Sequence, residues 1–111
     1  MPEFDDLKVS LKKFASLRNW NEFHTPKNLA MALSSESGEL LAEFQWLTPE
    51  GSMAKSMTSA QLEAIRMEIA DVFLYLLSLA ESLSIDILDA AATKMAINES
   101  RFPAKPVQAP K

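Results

Sequence analysis

Cysteine is absent from this 111-residue sequence, glycine occurs twice and histidine once. Without cysteine there is neither a disulfide frame nor a thiolate metal site. A lone histidine rules out most zinc centres built from several imidazoles. Any bound metal must therefore be held by carboxylate oxygen, which selects Mg²⁺, Mn²⁺ or Ca²⁺. Turn-rich β folds use glycine freely, so its scarcity points to helices. Positive charge is also short: 11 Lys and Arg against 15 Asp and Glu leave a net charge of −4, which argues against a nucleic acid as partner. No apolar run reaches the roughly 20 residues of a membrane span; the longest is Ile69 to Ala80. The start, Met1-Pro2-Glu3-Phe4-Asp5-Asp6, lacks the basic end and apolar run of a signal peptide. The expected setting is cytoplasmic, with no membrane partner.

What is present reads as one helical domain. A hydrophobic fraction of 48% and a charged fraction of 23% are ordinary for a single globular core. Phe4, Leu7, Leu11 and Phe14 recur at helical spacing and predict a first helix to about Leu17. After the loop Arg18 to His24, Thr25-Pro26 reads as N-cap and first helical position of a second helix, extending to about Trp46. Thr48-Pro49-Glu50-Gly51-Ser52 ends it. Thr58 and Gln61 fit a capping box for a third helix to about Leu83, and Ser84 is the expected cap of a fourth, to about Ser100. Pro103, Pro106 and Pro110 mark a tail, so the domain is placed at residues 1–103 and a flexible Pro-rich tail at 104–111.

Acidic residues stand where core positions are expected. On a helical wheel Glu36 falls among Leu29, Leu33, Leu40 and Leu47, with Glu39 and Glu43 on one flank. The third helix has an apolar stripe of Ile65, Val72, Leu76, Leu79 and Leu83, with Glu68, Asp71 and Tyr75 along its side. Each helix thus offers an acid pair at three-residue spacing, and two antiparallel helices would bring four carboxylates together. A carboxylate at an apolar seam is costly unless paired or bound to metal. Acid pairs at this spacing are common on solvated faces; two of them beside apolar stripes are not. A di-iron bundle needs Glu-x-x-His, which neither helix carries. On the fourth helix Lys94, Asn98 and Arg101 share one face, either as a solvated helix end or as a clamp on phosphate oxygens.

Taken together, these residues resemble the MazG-like, all-α nucleoside triphosphate pyrophosphohydrolases, in particular the dCTP pyrophosphatase branch. The resemblance is carried by Arg18-Asn19-Trp20-Asn21-Glu22-Phe23-His24 with Pro26 and Asn28, and by Glu36-Ser37-Gly38-Glu39-Leu40 running into Phe44-Gln45-Trp46. It continues in Glu68-Ile69-Ala70-Asp71-Val72 with Tyr75, and in Lys94-Met95, Asn98 and Arg101-Phe102-Pro103. It spans residues 4 to 103. It implies a four-helix bundle that assembles through its helices into a homo-oligomer, usually a tetramer, with pockets shared between subunits. It further implies that Glu36, Glu39, Glu68 and Asp71 hold Mg²⁺ (Mn²⁺ as substitute) against a triphosphate. Trp20, His24, Trp46, Tyr75 and Asn98 would line the base and sugar pocket, and Lys94 and Arg101 would contact phosphates. The implied activity is hydrolysis of dCTP, or a related or modified dNTP, to monophosphate and pyrophosphate, in nucleotide housecleaning. Glu39, at the edge of its stripe, is the favoured general base, with Glu36 beside it in the catalytic pair. Two departures stand out: Ser35 replaces an acid found in many members, and Leu11 stands where the animal dCTP enzymes have a histidine. The alternatives are a non-catalytic helical interaction module and a dUTP-preferring pyrophosphatase.

Overall fold

The computed structural model describes residues 3–105. They form four α-helices and one short 3-10 turn, and no strand occurs among the described residues. Helix α1 spans Phe4–Leu17, α2 Pro26–Ala42, α3 Ser59–Ser82 and α4 Ile87–Arg101, with the 3-10 turn at Ala54–Ser56. The all-α class is as the sequence predicts. Residues 106–111, most of the expected tail, lie outside the described residues.

Helix starts follow the local chemistry. The Thr25 hydroxyl accepts a hydrogen bond from the Asn28 N–H at 3.2 Å, and Pro26 takes the first position, where no N–H is needed. Asn28 in turn donates its side-chain amide to the Phe23 carbonyl at 2.9 Å, tying the preceding loop to α2. On α3 the capping box is complete: Gln61 N–H donates to Thr58 Oγ1 (3.1 Å) and Thr58 N–H to Gln61 Oε1 (2.8 Å).

Helix ends differ from expectation at two places. α2 stops at Ala42, because the backbone tightens there: Glu43 and Phe44 donate to Leu40 and Leu41, three residues back. Trp46 therefore lies in the turn after α2. Ser84 does not cap α4; it sits beyond the end of α3 at φ 55°, while Ile85 N–H returns to the Ala80 carbonyl at 2.8 Å and Ser84 N–H to Glu81 at 3.1 Å. This is a Schellman ending, and the cap of α4 falls to Asp86, whose carboxylate accepts from Asp89 N–H. Asn19 closes α1 in the same way at φ 56°. A glycine-poor chain thus uses Asn and Ser at its left-handed positions.

Packing centres on α3. Helix α2 runs along it as the other arm of a helical hairpin, and α1 rests on it through a smaller contact. The core is Leu29 from α2, Ile65, Leu77 and Ala80 from α3, and Ala15 from α1. An edge-on Phe4–Phe73 contact and a 3.0 Å ion pair between Lys8 and Glu81 add to the α1–α3 seam. Helix α4 packs on no other helix to a comparable degree and buries none of its residues. The radius of gyration is 18.3 Å, against about 13 Å for a compact domain of this size. Large apolar side chains consequently stay exposed, among them Ile69 and Phe73 on α3, Leu83 just past its end, and Leu88, Met95 and Ile97 on α4.

Candidate active site

Pairing of α2 with α3 brings acids from both helices to one point. Carboxylate oxygens of Glu36, Glu39 and Glu68 lie within 4.8 Å of one another. The geometry follows from sequence: Glu36 sits at the seam with α3, and Glu39, one turn on, leans over the same spot. Glu36 and Glu68 are half-buried and Glu39 is exposed. Asp71 lies outside this tight group on the exposed flank, yet its charge still acts on both Glu36 and Glu68.

The electrostatics are unbalanced. Burial, and then the charge of Glu39, push the Glu36 carboxyl above the ordinary carboxylate range. Glu68 is raised by burial first, then by Glu39, Asp71 and Glu43. Oε2 of Glu36 and Oε2 of Glu68 are both buried with no hydrogen-bond partner. The ion pairs among the described residues, Lys8–Glu81 and Arg66–Glu63, do not touch the cluster. Buried oxygens without donors, held beside like charges, are what a divalent cation with oxygen ligands relieves. The donor set fits Mg²⁺ or Mn²⁺.

A groove between α1 and α3 adjoins the acids. Trp20, His24 and Tyr75 meet there with Asp71, Leu11 and Ser78 around a cavity of about 230 Å³. Trp20 stands edge-on to Phe14, at 5.4 Å between ring centroids, and tilted to His24 at 5.8 Å. The loop is held in this shape by the Schellman ending at Asn19 and by a hydrogen bond from Asn21 Nδ2 to Ser16 Oγ at 2.9 Å. Aromatic faces beside an acid cluster suit a flat ring attached to an anionic chain.

A model of the MazG-like family matches residues 31–107, well over half of the sequence. The chain belongs to the MazG-like family. Human dCTP pyrophosphatase 1 is 37% identical over 103 residues, covering 93% of this chain and 61% of that protein. Its bovine counterpart is 34% identical over 102 residues, at 92% and 60%. The chain thus spans about three-fifths of the length of these curated relatives. A crystal structure of a pyrophosphatase from Archaeoglobus fulgidus superposes with a TM-score of 0.84 at 35% identity, covering 94% of this chain and 95% of that one.

Several residues singled out in this MazG-like sequence do not join the site within one chain. Trp46 is 89% exposed and lines neither cavity, so its expected place in the pocket is not met in this structure. Lys94, Asn98 and Arg101 lie on α4, away from the α1–α3 groove, and the Arg101 guanidinium rests over the Phe102 ring at 5.2 Å. Conversely, Glu43, which lies outside the matched motifs, acts on Glu68; its position seven residues after Glu36 is the signal for it. Lys8, Asn21, Ser78 and Glu81 also line the groove. Asn21 belongs to the quoted loop motif, whereas no motif marks Lys8, Ser78 or Glu81, which only the α1–α3 packing brings there.

Proposed function

We propose that this chain is a metal-dependent nucleoside triphosphate pyrophosphohydrolase acting on dCTP or a related dNTP, in the cytoplasm. The observation that carries the reading is the pair of buried, unpartnered carboxylate oxygens on Glu36 and Glu68 beside an aromatic groove. A non-catalytic interaction module has no reason to keep such oxygens at its core seam. The names of the curated relatives, dCTP pyrophosphatase 1, support the substrate class.

Glu36, Glu39 and Glu68, with Asp71 at the flank, would hold Mg²⁺, or Mn²⁺ in its place. When bound, the ion neutralises phosphate charge and lowers the pKa of coordinated water. Water attacks the α-phosphorus and the bond to the bridging oxygen breaks, releasing pyrophosphate and the monophosphate. Glu39 accepts the water proton; its support is that it is the most exposed acid of the tight group. Trp20, His24 and Tyr75 hold the base in the smaller cavity, which fixes the α-phosphate next to the acids.

The same reading includes a homo-oligomer, a tetramer built as a dimer of dimers, with sites completed between subunits. Its support is the unpacked α4, the exposed apolar side chains of α3 and α4, and the exposure of Trp46. Trp46, Lys94, Asn98 and Arg101 then serve the site of a neighbouring copy, Trp46 and Asn98 at the base and sugar, Lys94 and Arg101 at the phosphates. The test is a panel of nucleoside triphosphates with Mg²⁺, scored for pyrophosphate. Release of pyrophosphate, greatest with a cytosine or uracil deoxynucleotide, is expected. Absence of release from every triphosphate overturns the reading.

A further inference from the structure

The base cavity does not end at the base. A second cavity of about 370 Å³ shares Leu11, Ala15, His24 and Ser78 with the smaller one, so the two are lobes of one groove meeting at a common waist. Asp71 lines the lobe next to the acids, whereas Lys8, Lys12, Asn21, Glu81 and Ser82 line only the far one. From Asp71 to Glu81 is ten residues along α3, or about 15 Å of helix. A nucleotide with its phosphates at the acids and its base beside Trp20 and Tyr75 fills the near lobe and leaves the far one open.

The far lobe is lined mostly by apolar surface, Val9 and Leu29 included, but is charged at one end. Its end carries the Lys8 ammonium and the Glu81 carboxylate, 3.0 Å apart, with side chains 30% and 44% exposed. Bonding to Glu81 is also what raises the Lys8 ammonium above its ordinary pKa. A partly exposed pair of this kind contributes little to stability, so opening it to admit another polar group costs little. It offers a donor and an acceptor, with Asn21 and Ser82 nearby. The waist, by contrast, has the apolar Leu11 and Ala15 on the α1 side, which suits a short hydrocarbon linker.

We infer that the chain accepts pyrimidine nucleotides whose base carries a flexible, polar-ended extension, the linker passing Leu11 and Ser78 and the polar end meeting Lys8 and Glu81. The inference rests on the nucleotide reading above and adds the class of base. Leu11 and Ser78 then set which bases pass the waist, and Glu81 favours an extension ending in an amine.

The test compares plain dCTP and dUTP with two extended forms, an aminoallyl chain on the carbon edge of the base and an aminoethyl chain on the exocyclic amino group. At least one extended form is expected to keep a kcat/KM within about three-fold of its parent, because the extension enters space that is already open. Ser82→Leu, which narrows only the far lobe, should lower kcat/KM about tenfold for that extended form, the scale of a modest overpacking, and leave the plain nucleotides unchanged. Both extended forms turning over about 100-fold slower than plain ones would show the far lobe closed, by a second copy for instance. That result overturns this inference and leaves the pyrophosphohydrolase reading intact. Equal loss for plain and extended substrates in Ser82→Leu also overturns it. No turnover of any triphosphate removes both.

Discussion

Glu36 on α2 and Glu68 on α3 face one another across the helical hairpin, each with a buried Oε2 that has no hydrogen-bond partner. Within one tight group with Glu39, they carry negative charge that no lysine or arginine among the described residues pairs with. In the absence of a cation this seam is the weak point of the hairpin, and filling it should stabilise the native state alone. Millimolar Mg²⁺ or Mn²⁺ is expected to raise the melting temperature, by about 2.7 kcal/mol equivalent when metal stands at 100 times its Kd. Glu36→Gln should reduce that response. An unchanged melting temperature at every metal concentration, with and without nucleotide, counts against the site.

The same seam sets a pH dependence. Glu36 and Glu68 have folded-state pKa values above the ordinary 4.5, so the folded chain binds more protons than the unfolded chain above that pH. Their contribution to stability is therefore most favourable below pH 4.5 and is lost as pH rises through their folded values. Metal-free protein should lose melting temperature from mildly acidic to neutral pH, and saturating metal should flatten the curve. Melting curves with and without chelator check the sign; a rise in metal-free stability toward neutral pH would contradict it.

Glu39 differs from its two neighbours in being exposed, which suits a group that must reach water. Glu39→Gln keeps shape and removes charge. Turnover is expected to fall about 100-fold or more, the scale of a lost base or charge-stabilising group. Stability should hold or improve as repulsion is relieved. Glu63→Gln is the control, since Glu63 pairs with Arg66 on the exposed face of α3. Glu43→Gln should give a smaller loss, because Glu43 acts on Glu68 without belonging to the tight group. Parent rates in both Glu39→Gln and Glu43→Gln would make the carboxylates structural.

Ser84 occupies a left-handed position at φ 55°, where a side chain costs about 1–2 kcal/mol that glycine avoids. Offsetting this, glycine loses more freedom on folding. Ser84→Gly should therefore stabilise by about 0.5–1 kcal/mol without altering turnover. Urea denaturation measures it directly, and a clear loss of stability would mean that the Ser84 side chain holds the α3–α4 corner.

These corners show what was legible in the sequence. Helix starts were, because Thr25-Pro26 and the Thr58–Gln61 box are local chemical signals that need no tertiary partner. The end of α2 and the cap of α4 were not: no glycine or proline marks the tightening after Ala42, and Ser84, at a left-handed position usually left to glycine, reads as an N-cap just as well. The grouping of Glu36, Glu39 and Glu68 was legible, since three-residue spacing fixes a shared helix face; Asp71, expected as a fourth member, lies outside it. Lys8, Ser78 and Glu81 were not, because the face of α1 that meets α3 is decided by packing. The motif residues on α4 stand out in the sequence, but what they meet is decided by packing and not by spacing.

That last point gives the sharpest test of a shared site. α4 lies apart from the groove of its own chain, so Arg101 and Glu39 of one active site should belong to different copies. Glu39→Gln and Arg101→Ala, each impaired alone, are then complementary. In a symmetric pair every site takes its acids from one copy and its α4 from the other. Mixed at equal amounts, dissociated and reassembled, half of the pairs are heterologous, and each has one site free of both substitutions. Activity should recover to about a quarter of the parent, the statistical limit for two-fold pairing. Mixing without dissociation is the control and should recover nothing. If reassembled mixtures stay at the sum of the two impaired variants, Arg101 serves its own chain's acids or none, and α4 must swing back onto α3 for catalysis.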